Sequence, residues 1–117
     1  MQNYVASIDQ GTTSTRCLIF DHKGDSLAIS QAEHRQIYLH PGWVEHRPIE
    51  IWNRTQEVIL AACNQAHIQP GDLAAVGITN QRETTIVWDK RTGVPYYNAI
   101  VWQDTRTKEI CDRIISA

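Results

Sequence analysis

The stretch that most limits how this chain can fold is Asp9-Gln10-Gly11-Thr12-Thr13-Ser14, polar and glycine-containing, set between two short apolar runs. Tyr4 to Ile8 precedes it and Arg16 to Phe20 follows it. Both runs have strand length, and an apolar run broken by a glycine and hydroxyls and resumed at once predicts two strands joined by a tight turn. The sequence Asp21-His22-Lys23-Gly24-Asp25 is a second turn signal, because Gly24 tolerates positive φ and aspartates bond nearby backbone amides. A third strand, Leu27 to Ala32, then completes an antiparallel meander.

Beyond the meander, the loop Tyr38 to His46 leads to Pro48, which suits a first helical turn because its missing N–H has no intrahelical partner there. The spacing of Trp52, Ile59, Ala62, Cys63 and Ala66 predicts a helix from Pro48 to about His67, with Ile51, Val58 and Leu60 widening its apolar stripe. Gln69-Pro70-Gly71-Asp72 ends it. Ala74 to Thr79 lacks polar alternation until its end, which predicts a central strand covered on both faces. Thr84 to Trp88 reads as a strand, Lys90 to Pro95 as a hairpin, Asn98 to Trp102 as the returning strand and Thr105 to Ile115 as a closing helix. The expected order is β-β-β-α-β-β-β-α. Trp52 and Trp88 are expected in the core.

With 117 residues the chain has material for one modest domain, burying roughly two-thirds of the surface its unfolded form exposes. Hydrophobic residues at 42% and charged residues at 21% place it among globular chains and away from disordered or fibrous ones. A net charge of -2 with scattered Lys and Arg offers no footprint for nucleic acid or an anionic membrane. The start Met1-Gln2-Asn3-Tyr4 lacks the basic and apolar regions of a signal peptide, and no apolar run is long enough to insert in a bilayer, so a cytoplasmic protein is expected. Cys17, Cys63 and Cys111 lie too far apart for a zinc knuckle or redox pair and read as buried free thiols. His40 and His46 straddle Pro41 and Gly42 and fit no helical metal motif.

Chemistry concentrates first at Asp9 to Arg16. Gly11 allows close backbone approach, successive N–H groups can form an anion-binding concavity, and the hydroxyls of Thr12, Thr13 and Ser14 can donate to phosphate oxygens. The same residue types equally suit an ordinary hairpin whose hydroxyls bond the local backbone. A P-loop is excluded, since GxxxxGK[ST] is missing. The segment resembles the first phosphate-binding motif shared by actin, hexokinase and chaperone ATPases, whose loop joins two antiparallel strands.

The likeness narrows at Pro41-Gly42-Trp43-Val44-Glu45-His46, at Gly77 to Trp88 with its Asn80-Gln81-Arg82-Glu83-Thr84 stretch, and at Tyr97 to Thr107. Over its whole length the chain is similar to the N-terminal part of the FGGY carbohydrate kinases, in their glycerol kinase branch. That resemblance implies an α/β, ribonuclease-H-like (actin/hexokinase-type) mixed β-sheet with flanking helices, forming an incomplete N-terminal domain over residues 1–117 with the remaining lobes absent. It implies transfer of the ATP γ-phosphoryl to glycerol, giving sn-glycerol 3-phosphate, with ATP and Mg2+ required and a homo-oligomer left open. The base and adenine pocket are expected outside these residues, so the isolated chain is expected to be inactive. The alternative is a noncatalytic module that binds a polyol or phosphate, or a subunit needing a partner chain.

Residue by residue, the resemblance implies Asp9 as the carboxylate that holds magnesium through water, with Gly11, Thr12, Thr13 and Ser14 around the nucleotide phosphates. Arg16 would sit near the transferring phosphoryl and share the catalytic role with Asp9. Arg82 and Glu83 match the glycerol ligands, and a guanidinium beside a carboxylate can read a diol by donating to one oxygen and accepting from another hydroxyl. Without the surrounding motif the same pair is an ordinary solvated one. Trp102 matches an aromatic wall against the glycerol carbons. The pattern is broken at Leu39, where proline is frequent, and at Arg47, where aspartate is common before the helix. Arginine is a poor N-cap whose charge opposes the helix dipole, a change worth roughly 0.5–2 kcal/mol of local stability.

Overall fold

The computed structural model describes residues 3–117, which divide into two compact units. One takes in the chain up to His34 and Ile49–Gln81, and the other Arg35–Pro48 with Arg82–Ala117.

In the first unit, β1 (Tyr4–Gln10), β2 (Ser14–Phe20) and β3 (Ser26–Glu33) form the expected meander. A later strand, β5 (Leu73–Thr79), runs parallel to β1, so the sheet is mixed with order β3-β2-β1-β5. Alternation along β1 and β2 turns Ala6, Ile8, Cys17 and Ile19 to one face, where the register sets Ala6 opposite Ile19 and Ile8 opposite Cys17. Val58, Ala62 and Cys63 of helix α1 (Pro48–Gln65) close this core. Ala66 and Ile59 are packed against it, as the stripe requires.

The helix ends two residues before His67, which adopts a left-handed φ of 56°. The amide of His67 donates to Asn64 and that of Ile68 to Cys63 at 3.0 Å, a Schellman arrangement with histidine where glycine is usual. Ile68 is thereby folded into the core. A single 3-10 turn at Pro70–Asp72 then leads into β5.

Several expectations are corrected in this unit. β5 is not a covered central strand: it lies at an edge of the sheet, with Val76 51% and Ile78 71% exposed. Its apolar run is real, but only its first residue, Leu73, packs against the core that α1 closes, and the rest of the strand is exposed. Trp52, expected in the stripe and in the core, is 59% exposed, and Leu60, expected to widen the stripe, is exposed as well. Cys17 and Cys63 are buried free thiols as expected, whereas Cys111 in the second unit is exposed. Burial, with a smaller contribution from Cys63, pushes the Cys17 thiol up to about 11.

The second unit has little regular structure. β4 (Glu45–His46) pairs antiparallel with β6 (Ala99–Ile100), and α2 (Lys108–Ile115) is three residues shorter at its start than expected. Thr84 to Trp88 is not a strand. It makes only isolated bridges, Thr85 to Ile100 and Trp88 to Pro95. Glu83 enters it with a left-handed φ of 60°, and Pro95 has no N–H to donate, so a continuous ladder cannot form. The expected hairpin at its far end does form, with Asp89 accepting from the amides of Arg91 and Thr92. Trp88 is 57% exposed rather than in the core, and Ile110, Ile114 and Ile115 of α2 are also exposed.

Candidate functional site

The first group of implicated residues occupies a single hairpin. Asp9 and Arg16 are cross-strand partners in the β1–β2 register, and the Arg16 guanidinium donates to the Asp9 carboxylate at 3.3 Å with both side chains about half exposed. Between them the turn is closed by the Gly11 amide donating to the Ser14 carbonyl at 2.9 Å. A Cβ on Gly11 would lie 3.1 Å from that carbonyl oxygen, which explains glycine here without any need for positive φ.

The loop is tied down from behind. The Gln10 carboxamide oxygen accepts from the Thr15 hydroxyl at 2.6 Å, and Thr15 is fully buried. The Ser14 hydroxyl accepts from Gln31 Nε2 at 2.7 Å, which leaves its own hydrogen to donate. His34, one residue past β3 and 6% exposed, reaches the loop twice. Its backbone amide donates to the Thr13 carbonyl at 3.3 Å, and its ring Nε2 lies 2.9 Å from the Thr12 carbonyl. A carbonyl can only accept, so Nε2 carries the hydrogen. Burial lowers the tendency of this ring to protonate and outweighs the opposing pull of the Thr12 carbonyl and Glu50, while the Arg54 charge adds to the lowering. The ring is therefore neutral at pH 7.

The second group lies in the other unit. Arg82 and Glu83 form an exposed turn rather than a strand end. The left-handed backbone at Glu83 costs a non-glycine residue on the order of 1–2 kcal/mol, a cost that recurs at functional sites. Thr85 and Ile100 exchange backbone hydrogen bonds at 3.0 and 3.1 Å, and the Trp102 amide donates to the Thr84 hydroxyl at 3.4 Å. These bonds fasten Trp102, 51% exposed, next to the Arg82–Glu83 turn.

Beneath this surface lies a buried ionic cluster that carried no role in the sequence reading. Glu45, fully buried, accepts from the Tyr97 hydroxyl at 2.9 Å, the Asn98 amide at 3.0 Å and Arg106 at 2.7 Å. Arg106 also donates to Asp104, whose carboxylate accepts from the Val44 amide at 2.7 Å. The guanidinium stacks 3.8 Å from the Trp43 ring, itself edge-on to His40. Arg106 holds the Asp104 carboxyl down at about 2, against the upward push of burial. Burial pushes Glu45 up, but hydrogen bonds from Arg106, Asn98 and Tyr97 outweigh it and leave its carboxyl below the usual range. Gly42 is required as well, for its φ is 78° and a Cβ there would collide with the Thr105 hydroxyl. Charged residues interleaved with Trp43, Tyr97 and Trp102 were the available signal for this cluster.

A mixed sheet carrying an exposed carboxylate and a hydroxyl-lined turn at the end of its first strand belongs to the sugar kinases of the actin/hexokinase-like fold. The chain superposes on Plasmodium falciparum glycerol kinase with ADP at TM-score 0.87 and 38% identity, over 98% of this chain and 23% of that one. It superposes on gluconate kinase from Lactobacillus acidophilus at TM-score 0.87 and 25% identity, over 97% of this chain and 22% of that one. Residues 4–117 match the N-terminal domain of the FGGY family of carbohydrate kinases, and the chain belongs to that family. In sequence it is 63% identical over 114 residues to the glycerol kinase of Roseiflexus sp. (strain RS-1), a match that covers 97% of this chain and 23% of that protein's length. No helix among the described residues is long and apolar enough to cross a membrane.

Proposed function

We propose that this chain supplies the phosphate loop and part of the polyol site of an enzyme that transfers the γ-phosphoryl of ATP to a terminal hydroxyl of glycerol, giving sn-glycerol 3-phosphate. The observation that carries the reading is the fastening of exposed Trp102 to the exposed Arg82–Glu83 turn through Thr84 and Thr85. One face of such a group can donate to and accept from adjacent hydroxyls while the indole meets the carbon chain. Glycerol kinase relatives at 63% and 61% identity support glycerol as the substrate, and the ADP-bound Plasmodium relative supports an adenine nucleotide as the other.

In this reading Gly11, Thr12, Thr13 and Ser14 receive the nucleotide phosphates, and Arg16 donates to the transferring phosphoryl, where charge spreads over the equatorial oxygens. Asp9 fits a magnesium ion held through water, since that ion keeps most of its waters and asks for only one or two carboxylates beside substrate phosphates. When bound it would neutralise phosphate charge. Glu83 accepts from a glycerol hydroxyl and Arg82 donates to its neighbour, which orients the terminal oxygen for attack. Residues 1–117 would form the N-terminal part of the first kinase domain, and the exposed apolar side chains of β5 would be covered in a protein of the relatives' length. A cytoplasmic location belongs to the same reading and follows the glycerol kinase relatives.

The test is a chimera in which residues 1–117 replace the matching quarter of the Roseiflexus enzyme. Glycerol-dependent ATP turnover that falls at least a hundredfold in Glu83→Gln and in Asp9→Asn is the expected result. Turnover unaffected by either substitution would overturn the assignment, and polyol binding without turnover would favour a noncatalytic module.

A further inference from the structure

Around the phosphate loop, one buried side chain acts on the loop itself without belonging to it. His34 lies 22 positions further along the chain than Thr12, yet both hydrogen bonds from its ring and backbone end on the loop's own carbonyls, those of Thr12 and Thr13. In a trans peptide the carbonyl of one residue and the N–H of the next point in opposite directions, and no peptide bond among the described residues is cis. Fixing the Thr12 carbonyl toward His34 therefore turns the Thr13 amide the other way. Fixing the Thr13 carbonyl does the same for the Ser14 amide.

We propose that His34 is a positioning residue that aims the Thr13 and Ser14 amides outward to receive the nucleotide phosphates. It rests on the assignment of this loop to phosphate binding. The ring is suited to the task because it is a rigid donor, enclosed at the end of β3, and its neutral state adds no charge behind the loop. Its surroundings support the same geometry. Gln31 on β3 donates to the Ser14 hydroxyl at 2.7 Å, and Arg54 of α1 donates to the Glu33 carbonyl at 3.0 Å, which anchors the residue before His34. Alone among these, His34 addresses the two carbonyls whose orientation decides where the loop's amides point. A histidine one residue beyond a strand carries no spacing that marks it as part of a site 22 residues earlier, so only the β2–β3 register reveals it.

The experiment compares His34→Gln and His34→Met in the chimera, two side chains of similar length of which only glutamine keeps an N–H donor. ADP affinity is measured by calorimetry, and KM for ATP and for glycerol are measured separately. The expected outcome is an ADP affinity and KM for ATP about tenfold worse in His34→Met, within about threefold of wild type in His34→Gln, and a KM for glycerol unchanged in both. Equal effects in the two variants, no effect in either, or a parallel rise in both KM values would overturn the role. A chimera that binds ADP in this pattern yet does not phosphorylate glycerol would remove the glycerol kinase reading and leave the His34 inference standing. A chimera that binds no ADP at all would remove both.

Discussion

The two units hold themselves together by opposite means. Around β1, β2, β3 and α1 the interior is built from Ala6, Ile8, Cys17, Ile19, Val58 and Ala62, and the buried polar side chains of Thr15 and His34 are neutral ones that tie down the loop. Around β4 and β6 the largest fully buried side chains include His46 and Glu45, and the linking element is Arg106 set between Glu45 and Asp104. Apolar interiors tolerate substitution of similar volume, because their cohesion is spread over many small contacts. An ionic interior does not, since removing one member leaves the others charged and buried without a counter-charge.

The largest expected effect tests that difference directly. Arg106→Leu should destabilise the second unit by about 3–5 kcal/mol, because Glu45 and Asp104 would face each other as uncompensated carboxylates. Ile19→Val, in the other interior, should cost only about 0.5–1.5 kcal/mol. Amide hydrogen exchange would report both, with protection lost at Glu45, Thr85 and Ile100 in the first variant and retained across β1 and β2. Equal losses in the two variants would erase the distinction between the interiors.

Acid should separate the units next. Asp104 titrates near 2 in the fold against an ordinary 3.8, so its contribution is complete above about pH 4 and is lost as pH falls through about 2. The loss is on the order of 2 kcal/mol, from 1.4 kcal/mol for each unit of pKa. His34 runs in a higher window. Its folded ring resists protonation more than the unfolded one, so the fold binds fewer protons there and enclosing the ring behind the loop stabilises the fold less as pH falls below 6.5, because a charged ring is costly to bury. Glu50 and Arg54 act on the same ring with opposite signs. Exchange measured from pH 7 to pH 2 should show the loop loosening before the Glu45 cluster. The reverse order would mean that one of the two charge assignments is wrong.

The same contrast explains what the sequence made legible. β1, β2, β3 and α1 could be placed because an apolar interior writes itself as period two or 3.6, and Asp21 to Asp25 and Pro48 mark the joints. The hairpin from Asp9 to Arg16 was legible for the same reason, and with it one half of the candidate site. The second unit escapes periodicity. Its order comes from side chains such as Glu45, Tyr97, Asn98, Asp104 and Arg106, whose partners lie up to 61 residues apart and follow no repeat. Thr84 to Trp88 has the composition of a strand, but the left-handed turn at Glu83 and the missing donor at Pro95 limit it to two bridges. Exposed Val76, Ile78 and Ile114 show the converse, apolar signals that no neighbouring surface among the described residues answers.

The smallest expected effect on stability belongs to a residue with a large expected effect on chemistry. Arg16 and Asp9 meet at 3.3 Å with about half of each side chain in water, a setting in which an ion pair contributes roughly 0–1 kcal/mol. Arg16→Gln should therefore leave the denaturant midpoint of this chain almost where it was. If Arg16 faces the transferring phosphoryl, the same substitution in the chimera should lower kcat by about a hundredfold or more, because a charge-assisted donor acts on charge that develops in the transition state. Its KM for glycerol should stay the same, since Arg82, Glu83 and Trp102 would hold the polyol without it. A variant that loses stability in proportion to activity would make Arg16 a structural member of the β1–β2 hairpin and return the Asp9 pair to the ordinary surface ion pairs. Retained stability with lost turnover would mean that the first unit relies on apolar packing for its fold and keeps the exposed Asp9–Arg16 pair for chemistry.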